Sequence, residues 1–338
     1  MNAIEDLETR LSEPTAADRD FMRELDGDVL ILGAGGKMGP SLAKLTKRAA
    51  DQAGTRKRVI AVSRFSSTGV RRDLEDAGVE VIACDLLCAE EVSRLPECQN
   101  VLYLAGRKFG SVGRPDLTWA ANAIAPMLAA SRYRRSRIVA FSTGNVYSFV
   151  EPACGGSRET DPPSPVGEYA QSCLARERVF EYFSNEHGTK CLLLRLNYAT
   201  DLRYGVLVDI AQNVYAGEPL DLTVPQFNTI WQRDVNSYAL RSLALCASPP
   251  RILNVTGAEM ITVREAAQFF SDRFKRPFQV RHEEGARALL SDSSMCHSLL
   301  GPPKVPFSVL REWVADWVSS GGETLNKPTH FEVTDGGF

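Results

Sequence analysis

The glycines in DVLILGAGGKMGPSLA have the type and spacing to hold a phosphate. Gly33, Gly36 and Gly39 fit G-x-x-G-x-x-G, and Gly33 with Gly35 also meets a G-x-G opening. An apolar run precedes them and an amphipathic stretch follows, so a strand turns into a helix there. Such a turn lets backbone N–H groups face a pyrophosphate at a helix N-terminus. Gly39 lets that helix sit close to the sheet. The chemistry expected is dinucleotide binding; the competing reading is a tight strand-to-helix turn without a ligand. The next strand ends in VIAVSRF, with Ser63 and Arg64 and no carboxylate. A hydroxyl beside a guanidinium suits a ribose 2′-phosphate, so NADP is expected ahead of NAD. The competing reading is a solvated arginine at a strand end. In CDLL, Asp85 stands where it can meet the adenine amine and Leu86 where it can pack on the ring.

These residues need a sheet to carry them. Strands are expected at Asp28–Leu32, Arg58–Val62, Glu80–Ala83, Asn100–Leu104, Arg137–Phe141, Lys190–Leu194 and Arg251–Val255. Helical stretches such as GPSLAKLTKRAADQAG and TWAANAIAPMLAASRYRR lie between them. Apolar strands alternating with helices imply an α/β fold with a parallel sheet covered on both faces, and right-handed crossovers make it doubly wound. Further along, Trp231 to Ser248 reads as a helix. Thr262 to Arg273 reads as a helix opened by a Thr262–Glu265 capping box. Pro306 to Val318 ends the helical part, and a strand is expected at Thr329–Val333.

The 338 residues are 44% hydrophobic and 24% charged with a net charge of −3. That composition is ordinary for a globular chain with a core, and it carries no broad basic field for nucleic acid or an anionic membrane. No apolar run approaches the roughly 18 residues needed to span a bilayer. The acidic N-terminus lacks the apolar core of a secretory signal, so a cytoplasmic location is expected, with residues 1–26 as a helical extension. Eight scattered cysteines form no C-x-x-C pair and read as reduced, mostly buried thiols. The four histidines show no ligand spacing, and no metal is expected.

Taken together, GAGGKMG, CDL, YLAG, FSTGNVYS, a Y-x-x-x helix, LLLRLN, RDV, ILNVTG and SDSSMCHSLLG occur in an order that resembles the extended short-chain dehydrogenase/reductases, the NAD-dependent epimerase/dehydratase group. The resemblance runs from about Asp28 to Val318. It implies a Rossmann domain at 27–198 with 229–256 returning to it, a smaller C-terminal α/β substrate domain at 199–228 and 257–320, and a tail at 321–338. It also implies that Gly33, Gly36, Lys37, Met38 and Gly39 lie on the cofactor, as do Leu104, Ala105, Gly106 and Lys108 of YLAGRKFG. Asn122 matches an asparagine near the ribose and pyrophosphate, and Asn197 completes the set. Thr143 stands where the family keeps a catalytic serine or threonine. Tyr169, 26 residues on, stands at the family tyrosine, which touches cofactor and substrate.

Hydride exchange at a carbon bearing an alcohol also moves the hydroxyl proton. A tyrosine can move it if its pKa falls from about 10 toward neutrality. A threonine hydroxyl steadies the substrate oxygen. The family's lysine, four residues after the tyrosine, favours tyrosinate and holds the nicotinamide ribose. Here that position is Cys173, while Glu177 still matches. A neutral thiol cannot stabilise tyrosinate. Three explanations stay open: Lys108 or an arginine enters from elsewhere, the oxidised nicotinamide's own charge suffices, or the protein binds cofactor without turnover. Reduction of a carbonyl, with neutral tyrosine as proton donor, asks least of the missing lysine.

In the second half, Tyr198 stands where the nucleotide-sugar pattern has asparagine, and Phe227 where it has arginine. Arg233–Asp234 match a structural R-D-V, and Arg281, His282 and Arg287 are either solvated or meet an anion. The expected activity is an NAD(P)-dependent oxidoreductase on a small, sugar-like carbonyl or alcohol. A nucleotide-sugar epimerase or dehydratase, or a cofactor-binding sensor or scaffold, are the rivals. The resemblance further implies a homodimer.

Overall fold

Short apolar runs set the sheet of this computed structural model, which describes residues 3–66, 68–108, 110, 113–327 and 329–337. Strands β1 (Val29–Leu32), β2 (Val59–Ser63), β3 (Glu80–Ala83), β4 (Asn100–Tyr103), β5 (Arg137–Thr143), β6 (Lys190–Leu196) and β7 (Arg251–Val255) form a seven-stranded sheet in the order β7-β6-β5-β4-β1-β2-β3. β1 is buried along its length because parallel strands covered on both faces have no solvent side. It pairs in parallel with β2 and with β4, so the winding reverses between β1 and β4. Leu32 lies level with both Val62 and Tyr103. The next residues of the three strands, Gly33, Ser63 and Leu104, therefore emerge at one height on the carboxyl edge. Crevices at such reversals are where doubly wound sheets take ligands.

By packing, the chain divides into two compact units. One comprises Met1–Ser142, Glu168–Leu194 and Asn236–Ile252; the other comprises Thr143–Gly167, Arg195–Val235 and Leu253–Phe338. In the first, α7 (Ala125–Arg132) and α8 (Gly167–His187) contribute Ala129, Tyr133, Phe180 and Phe183 to the core cluster against β4. The ring of Tyr103 meets Phe180 edge-on at 5.4 Å. In the second, α9 (Val206–Ala216), α11 (Val263–Phe274) and α13 (Phe307–Ser319) pack together. The expected capping box is present at α11: Glu265 N–H donates to Thr262 Oγ1, and Thr262 N–H to the Glu265 carboxylate.

Two expectations change and one is refined. TWAANAIAPMLAASRYRR is helical as expected, but not as one continuous α-helix. α6 (Pro115–Trp119) and α7 are joined by a π segment, Ala120–Ile124. Pro126 has no N–H to donate and its ring crowds the preceding turn, so the ladder shifts register there. Trp231 belongs to a two-residue strand, Ile230–Trp231, paired with Ala199–Thr200, and the helix α10 runs only from Gln232 to Arg241. Trp231 is 1% exposed and meets Trp313 edge-on, which holds it out of the helix. Thr329–Val333 is not a strand. Thr329 spends its N–H on the Asp209 carboxylate (2.8 Å), and His330 takes a positive φ, so no ladder can continue.

The N-terminal segment forms α1 (Ala3–Ser12) and α2 (Ala16–Glu24), both packed on α3 (Gly39–Gln52). Asp18 caps its own helix with Thr15 and is fully buried. Its other oxygen accepts from Ser237 Oγ (2.6 Å) and pairs with Arg241 (3.3 Å) on α10. All eight cysteines are free thiols, five of them buried. No helix of the described residues is long and apolar enough to cross a membrane. Removing the buried carboxylate takes the ion-pair partner from Arg241 and the acceptor from Ser237, so Asp18→Ala is expected to lower stability by about 3 kcal/mol, read by urea unfolding.

Candidate functional site

The glycine turn is built by contacts that tolerate no side chain. Gly33 has φ +89°, and a Cβ there would lie 2.5 Å from the backbone nitrogen of Ala105. Leu104 N–H donates to Leu32 O (2.8 Å), so the ends of β1 and β4 are laced together at this point. A Cβ on Gly39 would run into the carbonyl of Ala34, which keeps α3 tight against the loop. Gly36 N–H closes the turn onto Gly33 O (3.1 Å). Lys37 is exposed and Met38 half-buried. Met38 is the N-cap residue of α3 and makes no side-chain cap. No side chain caps the first turn of the helix, in which Pro40 has no N–H to satisfy.

Gly35 lies against Ser63: its missing Cβ would be 2.6 Å from Ser63 Oγ. Arg64 follows, exposed. Asp85 holds a local turn, accepting from Leu87 N–H (3.0 Å), and its own N–H donates to Glu91 (2.7 Å). Leu86 is turned into the core with Val92 and Leu95. Ala105 and Gly106 line the β4 exit, and Gly106 leaves room for the guanidinium of Arg176.

Asn122, in the π segment, is the hub of this unit. Its Oδ1 accepts from Arg107 N–H (2.9 Å) and from Arg176 Nη2 (2.5 Å); its Nδ2 donates to Arg107 O and to Ser172 Oγ, both at 2.9 Å. Ser172 in turn donates to the carbonyl of Tyr169 (2.8 Å). Tyr169 is half-buried in the first turns of α8, and Lys108 Nζ stands over its ring, 6.0 Å from the centroid. Cys173 is fully buried, one turn along α8 from Tyr169. Burial raises the pKa of its thiol, with Arg176, Tyr169 and Lys108 pulling the other way. The thiol form is thus favoured.

Thr143 ends β5 and is 8% exposed. Its Oγ1 accepts from Asn145 N–H (3.2 Å) and donates to Asn145 Oδ1 (3.1 Å). In the same unit, Arg195 is 1% exposed and donates to Tyr147 Oη (2.7 Å), which donates to Asn254 Oδ1 (2.9 Å). Glu159 accepts from Asn254 N–H (2.9 Å), and burial raises its pKa. Asn197 is buried, and its amide donates to Asn228 Oδ1 and Leu289 O, both at 3.0 Å. These contacts tie it into the fold of its own unit. Arg281 pairs with Asp221 (3.6 Å), His282 bonds the same carboxylate (3.0 Å), and Arg287 is exposed.

Sequence reasoning did not single out Arg176 or Arg195. A signal existed for Arg195, a lone charge inside the apolar run LLLRLN. Arg176 sits among the charged residues of RER and carries no such mark.

A family model described as the NAD dependent epimerase/dehydratase family matches residues 29–202. No curated protein matches the sequence. Among solved structures, the Thermus thermophilus UDP-glucose 4-epimerase complex with NAD is similar at 21% identity and TM-score 0.70, over 86% of this chain and 98% of that one. Epimerase Mth375 of Methanothermobacter thermautotrophicus is similar at 18% identity and TM-score 0.71, over 90% and 96%. MoeE5 in complex with UDP-glucose and NAD is similar at 19% identity and TM-score 0.69, over 87% and 99%.

The thiol of Cys173 should be inert. Alkylation of the native protein by iodoacetamide at pH 8, mapped by mass spectrometry, is expected to modify exposed Cys154 and spare Cys173 until the chain is unfolded.

Proposed function

The chain belongs to the NAD dependent epimerase/dehydratase family, and on that premise we propose that it is an NAD(P)-dependent oxidoreductase acting on a carbonyl or alcohol of a small, sugar-like substrate. One observation carries the reading: at the reversal between β1 and β4, side chains are absent where a dinucleotide backbone would pass. Gly33 meets Ala105 there, and α3 begins without a side-chain cap. That cradle of glycines at an uncapped helix start fits a pyrophosphate. A bound nicotinamide supplies the hydride chemistry.

The chain's own residues do the rest. Gly33, Gly36, Lys37, Met38 and Gly39 surround the phosphates, with Leu104, Ala105 and Gly106 beside them. Ser63 and Arg64 meet the adenosine ribose, and Asp85 the adenine. Asn122 orders this wall. Tyr169 moves the hydroxyl proton and Thr143 supports the substrate oxygen. Asn197 acts by shaping its unit, given how its amide is committed.

A second reading, epimerisation of a nucleotide sugar with cofactor retained, is favoured by the solved relatives, several of which carry NAD and UDP-sugars. Substituted positions Tyr198 and Phe227 weigh against it. Trp119, Ile124, Met127 and Tyr182, all exposed on α6, the π segment, α7 and α8, support a homodimer through these helices.

Titration of the protein with NAD and NADP, followed by fluorescence, tests the core of this proposal. At least one is expected to bind, NADP more tightly. Arg64→Ala is expected to weaken NADP about tenfold and leave NAD unchanged, since a guanidinium–phosphate contact contributes about 1.5–3 kcal/mol. Binding of neither sinks the reading. Net loss of NADPH absorbance with a sugar-like ketone separates reduction from epimerisation.

A further inference from the structure

Arg176 is a buried cation without a counter-ion. It is 6% exposed, and among the described residues it pairs with no carboxylate. Its Nη1 donates to Phe141 O (2.8 Å) and its Nη2 to Asn122 Oδ1 (2.5 Å), while its Nε, equally buried, has no partner. Burying a lone charge is unfavourable, and two neutral acceptors do not offset it fully. Such a group persists where its field has a use.

Its position names the use. Arg176 lies three residues after Cys173, on the same face of α8 and nearly one turn along. Its charge bears on the Cys173 thiol, one turn along α8 from Tyr169, and Lys108 bears on the same thiol from the loop after β4. Lys108 also stands over the Tyr169 ring. Position 173 is where the family resemblance expects an ammonium group. Of the acidic groups on α8, Glu168 accepts from Trp119 Nε1 and Glu181 pairs with Arg178; the buried Glu177 accepts from Ser142 Oγ (2.5 Å), and its charge opposes that of Arg176 at the thiol. Burial drives the pKa of Tyr103 on β4 upward, with the charge of Arg176 pulling the other way, so it stays uncharged.

We propose that Arg176 and Lys108 together supply the positive charge that position 173 lacks, and so make the Tyr169 phenol easier to ionise. Both are positioning residues, acting through Tyr169. The idea rests on the reading of Tyr169 as the proton-transfer group. The charge of the usual lysine has been split between a fixed guanidinium inside the helix packing and an ammonium at the mouth. Cys173, a buried thiol, contributes no positive field.

The test is the titration midpoint of Tyr169, followed by NMR of protein labelled with 13Cζ-tyrosine and assigned with Tyr169→Phe. The native midpoint is expected below the ordinary value of about 10. Lys108→Gln and Arg176→Gln are each expected to raise it by about one pH unit, and Arg176→Lys to leave it near native. Cys173→Lys placed in Arg176→Gln should lower it again, and the near-native midpoint of Arg176→Lys, which keeps the charge and changes the shape, separates a field from a purely structural role. A midpoint unmoved in both single variants overturns the proposal, and one that moves only in Lys108→Gln removes Arg176 from it. If Arg176→Gln does not fold, an unmoved midpoint in Lys108→Gln alone overturns it. No cofactor is needed, so failure to bind NAD or NADP would sink the oxidoreductase reading separately.

Discussion

Four hydrogen bonds converge on the side-chain amide of Asn122, and the first unit is arranged around them. Two go to the backbone of Arg107, one to Ser172 and one to Arg176. They join the loop after β4 to the π segment and to α8. That loop carries Lys108, and α8 carries Tyr169 and Cys173. A carboxamide suits the place because it accepts on one side and donates on the other, matching the N–H and C=O of one residue. The π segment is part of the same device. The missing N–H at Pro126 shifts the ladder, and the residue in the shifted stretch is the fully buried Asn122.

The electrostatics follow from that frame. α8 puts a thiol where the family resemblance expects an ammonium group, and burial keeps the thiol protonated. The positive charge nearby is held by Arg176, whose guanidinium fits only because Gly106 has no side chain. One glycine thus serves both the wall of the crevice and the cation behind it. Solved structures below 25% identity share the fold, and such a fold hosts many chemistries.

Much of the architecture was legible in the residues. The continuous apolar runs gave all seven strands, with Glu80–Ala83 and Arg251–Val255 matching to the residue. The glycine turn was legible because Gly33, Gly36 and Gly39 are fixed by sterics local to one loop. Thr262 and Glu265 announced α11 because a capping box is a three-residue interaction. The illegible parts depend on distant partners. Trp231 leaves its helix for Trp313, 82 positions away in the chain. Thr329 leaves its strand for the carboxylate of Asp209. Arg176 looked like any surface charge of a helix until Phe141 and Asn122 enclosed it. Residues 1, 2, 67, 109, 111, 112, 328 and 338 lie outside the described residues, and with them Phe109 of YLAGRKFG and Pro328 of the tail.

The latch between Asp18 and Ser237 spans 219 positions, and that between Leu11 and Asn236 spans 225. During synthesis α3 reaches the open soon after α1 and α2 and can shelter their apolar sides. The buried polar partners on α10 exist only once that helix has left the ribosome. Until then Asp18 must stay hydrated, so α1 and α2, made well before α10, are locked only after it. A nascent chain halted before α10 would carry them docked loosely on one side, an open surface that chaperones or proteases would meet first.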